Sequence, residues 1–209
     1  VFVNGGKLVE PIIIDRIQDS EGKTVFNNDK RKCVNCDEIS YLGKDYPIIK
    51  DDYKKIFSPQ TSYQMTSILE GVVQRGTAKK LRDLKLNIAG KTGTTNKNTD
   101  TWFIGYTSNL LIGVYVGLDN PSPLGRYETG SKTALPIFKE FVKKTVNKSD
   151  ARPFKAAEET VMMVVDPNTG QKAKFNSKNT IIEVYKKQNV MDGKVLYSNN
   201  DRLDANNIL

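Results

Sequence analysis

Two residues, Ser108 and Asn109, separate the apolar-rich runs "TWFIGYT" (101–107) and "LLIGVYVGL" (110–118). So short a link leaves no room for a crossover, so the two runs return as an antiparallel hairpin. A third run, from Ile88 to Thr94, precedes them. Three consecutive strands with tight links build an antiparallel sheet, and the sheet needs helices to cover it. A helix is expected to open at Ser58, whose side chain can cap it, with Pro59 at the first helical position. Met65, Ile68, Leu69, Val72 and Val73 follow at helical spacing, and Gly76 closes the run at C′. A shorter helix is expected over Ala78 to Asp83. Downstream, "SKTALPIFKEFVKKTV" places Leu135, Phe138, Phe141 and Val142 on one face, with lysines largely opposite. The expected class is α/β of the α+β type: an antiparallel central sheet flanked by helices.

The flanking segments are less regular. Residues 5–27 read as two strands around the turn "SEG", and residues 28–57 as a charged, irregular excursion. "SDARPF" breaks the pattern after residue 147. The tail reads as short strands around "DPNTGQ", then helix near 181–187.

Composition narrows the chemistry. The chain has no histidine, which removes Ser-His-Asp, Cys-His and His-based zinc sites and leaves acid–base work to Lys, Asp, Glu, Tyr or a hydroxyl. The net charge of +8 favours anionic partners, but no nucleic-acid-reading motif accompanies it, and a solvated lysine-rich surface explains it as well. No run of about 18 apolar residues is present. The chain opens at Val1 without a start methionine, and further residues are expected before it. Cys33 and Cys36 form a lone C-x-x-C, open to reading as a redox motif, half a metal site or a local disulfide. The soft ligands for a four-ligand zinc site are lacking. Outside the cytoplasm a disulfide is expected, with two free thiols as the alternative.

"NIAGKTGTTN" (87–96) contains both Gly-Lys-Thr and Lys-Thr-Gly. A phosphate loop needs a glycine five positions before Gly90, where Lys85 stands, and a helix after the Lys-Thr, where a strand is expected. Lys-Thr-Gly on an edge strand has another logic: a peptide can add to that edge as a further strand. Lys91 supplies positive potential for a carboxylate. Thr92 and Thr94 alternate to one face with hydroxyls for the same group. Gly93 turns the other way, leaving room against the core, and the Thr94 N–H can serve a developing oxyanion. Phe103 reads as core, Trp102 and Tyr106 as aromatic candidates for it, and Asn96 and Asp100 as loop structure.

The stretch "GKTGTTNKNTDTWFIGYTSNLLIGVYVGLDN" resembles the penicillin-binding transpeptidase domain of the bifunctional, high-molecular-weight (class A) peptidoglycan synthases. The matching positions include Asn96, Asp100, Trp102, Phe103, Gly105, Tyr106 and Thr107. "VVQRGTAKKL" resembles the end of a family helix, with Ala78 where glycine is usual. "YETGSKTALPIFKEF" and "NGGKLVEPIIIDRIQDSEGK" also resemble family segments. The resemblance is dense to about residue 145. It implies residues 1–147 as the C-terminal portion of a transpeptidase domain and 148–209 as an extension packed on it. It implies Lys91 and Thr94 as catalytic, and Thr92, Gly93, Thr94 and Thr95 as substrate-binding. No cofactor or metal is implied. The implied partners are peptidoglycan stem peptides, lipid-linked glycan strands and β-lactams, with membrane contact only through an N-terminal anchor. The implied location is the periplasmic face of the inner membrane.

The family's nucleophile lies in S-x-x-K, followed by S-x-N, both before K-T-G. Here the only S-x-x-K is "SEGK" (20–23), in an expected hairpin turn, and the S-x-N matches at Ser177 and Ser198 come too late. The resemblance therefore implies a portion of a D,D-transpeptidase or carboxypeptidase whose serine, and whose glycosyltransferase domain, lie outside these residues. The chain alone is then inactive. The alternative is a non-catalytic or vestigial module that holds wall peptides.

Overall fold

The computed structural model describes residues 1–29, 31–34, 36, 48–50, 53–147, 152–191 and 194–195. Two short hairpins come first. β1 (Arg16–Gln18) pairs with β2 (Thr24–Asn27), and β3 (Lys32–Val34) pairs with β4 (Ile48–Lys50), both antiparallel. Among its described residues, the excursion expected over 28–57 contains the β3–β4 pairing and an antiparallel bridge from Lys55 to Lys7. The long β-rich stretch at 5–18 yields strand only at its end. Pro11 has no N–H to give a ladder, and Ile12, Ile13 and Ile14 remain exposed. The Cα atoms of Cys33 and Cys36 stand 5.8 Å apart, a separation that a disulfide spans.

Helix α1 (Pro59–Gln74) begins as its sequence dictates, with the Ser58 hydroxyl accepting the Thr61 N–H at 3.1 Å. Gly76 stands at C′, but its backbone is not left-handed. Glycine is needed because a Cβ there would lie 2.9 Å from the Val72 carbonyl oxygen. A 3-10 helix follows at Lys79–Leu84, one residue on from the helix expected there.

The central sheet is formed by β5 (Ala89–Thr94), β6 (Thr101–Tyr106) and β7 (Leu111–Val116), antiparallel in the order β5-β6-β7. The Thr107 N–H donates to the Leu110 carbonyl at 2.9 Å, closing the two-residue turn at Ser108 and Asn109. α2 (Ala134–Thr145) lies on the face of Phe103 and Gly105. Phe103 and Phe138 meet edge to face, their centroids 4.7 Å apart, and both are fully buried. With Val73, Leu81, Ile88, Leu135 and Val142 they form the core. Phe141 is not part of it. It lies 48% exposed on the outer flank of α2. Tyr106 is buried and its hydroxyl pairs with Thr66 of α1 at 3.0 Å. Trp102 faces away from the core, 43% exposed, against the ring of Tyr115.

The tail corrects one expectation. Residues 181–186, expected as helix, are strand: β9 (Ile181–Lys186) pairs antiparallel with β8 (Thr160–Val165). Ile181, Ile182 and Val184 are β-branched and pack well in a half-exposed ladder, which outweighs their weak helical spacing. A 3-10 turn at Lys187–Asn189 leads to β10 (Val190–Met191), which pairs with β11 (Lys194–Val195). The β8–β9 hairpin docks on α1. Gln64 Nε2 donates to the Val184 carbonyl at 3.0 Å, and Arg75 pairs with Glu183.

Candidate active site

β5 is an edge strand. Among the described residues nothing pairs with its outer side. Thr92 lies opposite Phe103 and Thr94 opposite Thr101, so the two threonines share one face. Lys91 and Gly93, opposite Ile104 and Trp102, share the other. The expected orientation of Gly93 is thus inverted: the threonine face is the one that meets the core, while Gly93 lies beside the half-exposed Trp102.

The directions of the backbone groups follow from one bond past the strand end. The Thr95 N–H donates to the Asp100 carbonyl at 3.0 Å, toward β6. N–H groups alternate sides along a strand, so those of Thr94 and Thr92 aim at the open edge. The Thr92 carbonyl points the same way and accepts a bond of 2.8 Å from Lys91 Nζ. The ammonium therefore curls round to the edge from the opposite face. One open edge thus gathers a cation, two outward N–H groups and, above it, two hydroxyls.

Three segments hold this strand. From the end of α1, the Thr77 hydroxyl lies 3.0 Å from that of Thr92. From the loop before α2, the Gly130 N–H donates to Thr94 Oγ1 at 3.1 Å. Because Thr94 accepts there, its own O–H is left to donate elsewhere. At the strand end, Thr95 Oγ1 accepts the N–H groups of Thr99 and Asp100 at 3.1 and 3.0 Å, so its hydroxyl organises the turn. Asp100 belongs to the same turn and accepts the Tyr115 hydroxyl at 2.7 Å. That bond raises the phenol's pKa above its ordinary value. Asn98 ties the turn to the loop, donating to the carbonyls of Gly125 and Arg126 at 3.3 Å each.

Lys91, Thr92, Gly93 and Thr94 are thus brought together, Thr95 stands beside them in a structural bond, and Cys33 and Cys36 lie on a separate hairpin. The two "SEGK" termini, Ser20 and Lys23, fall in the β1–β2 turn, where the Asp19 N–H donates to the Lys23 carbonyl at 3.0 Å. The S-x-N match at Ser198 lies outside the described residues. Sequence reasoning did not single out Thr77 or Gly130 as site residues. Each belongs to a Gly–Thr pair, in "RGTA" and "ETGS", and a glycine where two backbones come close was the available signal.

The sheet, its two helices and the Lys-Thr-Gly edge define a recognisable class of α/β domain. The solved structure of penicillin-binding protein 1A from Haemophilus influenzae superposes on 88% of this chain with a TM-score of 0.65 and 26% sequence identity, using 30% of that structure's chain. The family model described as the penicillin binding protein transpeptidase domain matches residues 1–143. The chain belongs to that family. Penicillin-binding protein 1A of Rickettsia prowazekii (strain Madrid E) is 37% identical over 209 residues, spanning 98% of this chain and 26% of the relative. The protein of the same name from Pseudomonas aeruginosa is 28% identical over 218 residues, spanning 90% of this chain and 26% of its own length. The chain thus spans about a quarter of the length of the curated relatives it matches.

Proposed function

We propose that these residues form one wall of a D,D-transpeptidase site that cross-links peptidoglycan stem peptides through a serine acyl-enzyme. The observation that carries the reading is the open Lys-Thr-Gly edge, with the Thr94 N–H aimed outward and the Lys91 ammonium beside it. A stem peptide ending in D-Ala-D-Ala adds to this edge as a strand. Its terminal carboxylate meets Lys91 and the hydroxyls of Thr92 and Thr94. The Thr94 N–H donates to the oxyanion that forms when the serine attacks the scissile carbonyl. D-Ala leaves, and the acyl group passes to an amine of a neighbouring strand, or to water in the carboxypeptidase reaction. Gly93 lets the peptide approach the backbone. Thr95 acts through the turn it holds. β-Lactams acylate the same serine.

The nucleophile comes from polypeptide outside these 209 residues, which alone carry no acylation. The full protein, in the same reading, works at the periplasmic face of the inner membrane, held by an N-terminal anchor and drawing on lipid-linked glycan strands. It carries a glycosyltransferase as well. In that oxidising setting Cys33 and Cys36 form a disulfide. Residues 148–209 are an extension of the domain rather than a second catalytic unit. A non-catalytic peptide-holding module is the second reading, favoured by the position of "SEGK" in a turn. It would be established by reversible peptide binding without any covalent adduct.

The test compares Thr92→Val and Thr94→Val in the enzyme that contains these residues, using an acyl donor as free acid and as ester. Each variant loses one hydrogen bond to a charged group, about 1.5 to 3 kcal/mol, so acylation by the acid falls about tenfold or more. The loss shrinks for the ester. Equal loss on acid and ester would show that the hydroxyls do not read the carboxylate.

A further inference from the structure

The end of α1 reaches into the site, and the C-terminal hairpin holds that end. The Thr77 hydroxyl lies 3.0 Å from that of Thr92. Thr77 itself is wound onto the last turn of α1. The Arg75 N–H donates to the Gly71 carbonyl at 2.8 Å, and the N–H groups of Gly76 and Ala78 both donate to the Val72 carbonyl at 3.1 Å. Whatever fixes this turn therefore fixes Thr77. From outside the helix, Glu183 of β9 pairs with the Arg75 guanidinium. Space for that guanidinium is built into α1: the three atoms nearest to a Cβ on Gly71 would all belong to it, at 2.8 to 2.9 Å. Glycine weakens a helix interior relative to alanine, and here the guanidinium fills the place a side chain would take. The same extension is tied to α1 twice more. Gln60 Nε2 donates to the Glu158 carbonyl at 3.1 Å, and Gln64 Nε2 to the Val184 carbonyl at 3.0 Å. Residues 60, 64 and 75 share one face of the helix, so the extension follows α1 from its first turn to its last.

A hydroxyl has one proton to give. At Thr94 the Gly130 N–H takes an acceptor position on the oxygen, which leaves the Thr94 proton for a substrate. Thr77 can do the same for Thr92. When the Thr77 hydroxyl donates, the Thr92 O–H turns away from it and is left to donate elsewhere. We infer that Thr77 is a positioning residue that aims the Thr92 hydroxyl at the incoming carboxylate, and that the β8–β9 hairpin holds it there through Glu183 and Arg75. The inference rests on the transpeptidase reading for what Thr92 receives. It gives the C-terminal extension a part in a site that it does not touch, since neither β8 nor β9 pairs with β5. The Arg75 and Glu183 side chains are 43% and 20% exposed, so the hairpin's share is the modest one of a half-screened ion pair.

The experiment measures acylation of the enzyme that contains these residues by one donor, as free acid and as ester. Thr77→Val is expected to slow acylation by the acid about fivefold, less than loss of the Thr92 hydroxyl itself, and to leave the ester within about twofold. Thr77→Ser returns the hydroxyl and with it the rate. Glu183→Ala is expected to cost the acid about threefold, the scale of one partly exposed ion pair, and to cost nothing further in Thr77→Val, because both changes act on one hydroxyl. Gln60→Ala cuts a tie of the same extension at the far end of α1 and leaves both rates unchanged. A Thr77→Val variant that slows acid and ester equally reduces Thr77 to a structural residue and overturns the inference. A Glu183→Ala loss that persists undiminished in Thr77→Val, or that never appears, overturns the part given to the hairpin. If neither donor acylates the unmodified enzyme, the transpeptidase reading fails, and crystal structures of the unmodified protein and of Glu183→Ala decide the contacts by themselves: a Thr77–Thr92 hydroxyl pair that opens in the variant upholds the link, and one that stays closed overturns it.

Discussion

Lys91→Ala is expected to slow acylation about a hundredfold or more, the loss of a charge-assisted bond beside a reacting group, while leaving the melting temperature unchanged. The separation of the two readouts follows from where Lys91 sits. Its side chain is exposed, faces away from the core and makes its bond to the Thr92 carbonyl at the open edge. Truncation opens no cavity and strands no buried group, so its cost to folding stays within about 0.5 kcal/mol. The kinetic cost is another matter, because in the proposed reading the ammonium is the positive charge of the edge that receives the carboxylate. Lys91→Arg keeps the charge but replaces a flexible point donor with a planar fork, and recovers part of the rate. The measurement is the acylation rate of the catalytically complete enzyme with a fluorescent penicillin, beside thermal unfolding of each variant. An alanine variant that acylates within about threefold of the parent would reduce Lys91 to an ordinary strand residue, because loss of a working charge–charge contact costs far more.

Much of this was legible in the chain because short-range physics dictated it. The two-residue link at Ser108 and Asn109 leaves β6 and β7 one topology, and alternation along β5 places Thr92 and Thr94 together on one face. Ser58 and Pro59 announce the start of α1, and the cap bond forms where they stand. What failed to read through was the direction of faces and the weakly patterned segments. Alternation says that Gly93 opposes the threonines, but which side meets α2 depends on Phe103 and Phe138, 35 residues apart in sequence. Ile181, Ile182 and Val184 carry spacing compatible with helix or strand, and only the partner β8 decides between them. Phe141 looks like core on a helical wheel and lies outside because α2 buries a narrower stripe, Ala134, Leu135, Phe138 and Val142. Family resemblance supplied the role proposed for the edge. It did not show that Thr95 is spent on its turn, nor that the strand is tied down through Thr77 and Gly130.

Those ties give the second large expectation, at Gly130. A Cβ on this residue would lie 2.7 Å from the Gly93 carbonyl oxygen and would also collide with that of Trp102. Both are backbone atoms of paired strands, so neither can swing aside as a side-chain tip would. Gly130→Ala must therefore lift the loop from the sheet or bend β5, and overpacking of this kind costs about 1 to 3 kcal/mol. The site feels it directly. The Gly130 N–H holds Thr94 Oγ1, and the Gly130 carbonyl accepts the Leu135 N–H at 2.9 Å at the start of α2. Moving the loop shifts the Thr94 hydroxyl and, through the strand, the outward N–H proposed to serve the oxyanion. A displacement of about 1 Å at such a donor lowers rate by about a hundredfold. Gly113→Ala is the control in the same sheet, since a Cβ there meets nothing nearer than Ile104 Cγ1 at 4.0 Å. It should leave melting and acylation unchanged, or raise stability slightly by restricting the unfolded chain. Thermal unfolding and acylation of both variants decide the matter. If Gly130→Ala melts and acylates like Gly113→Ala, the loop yields freely, and Thr94 owes its placement to β6 alone.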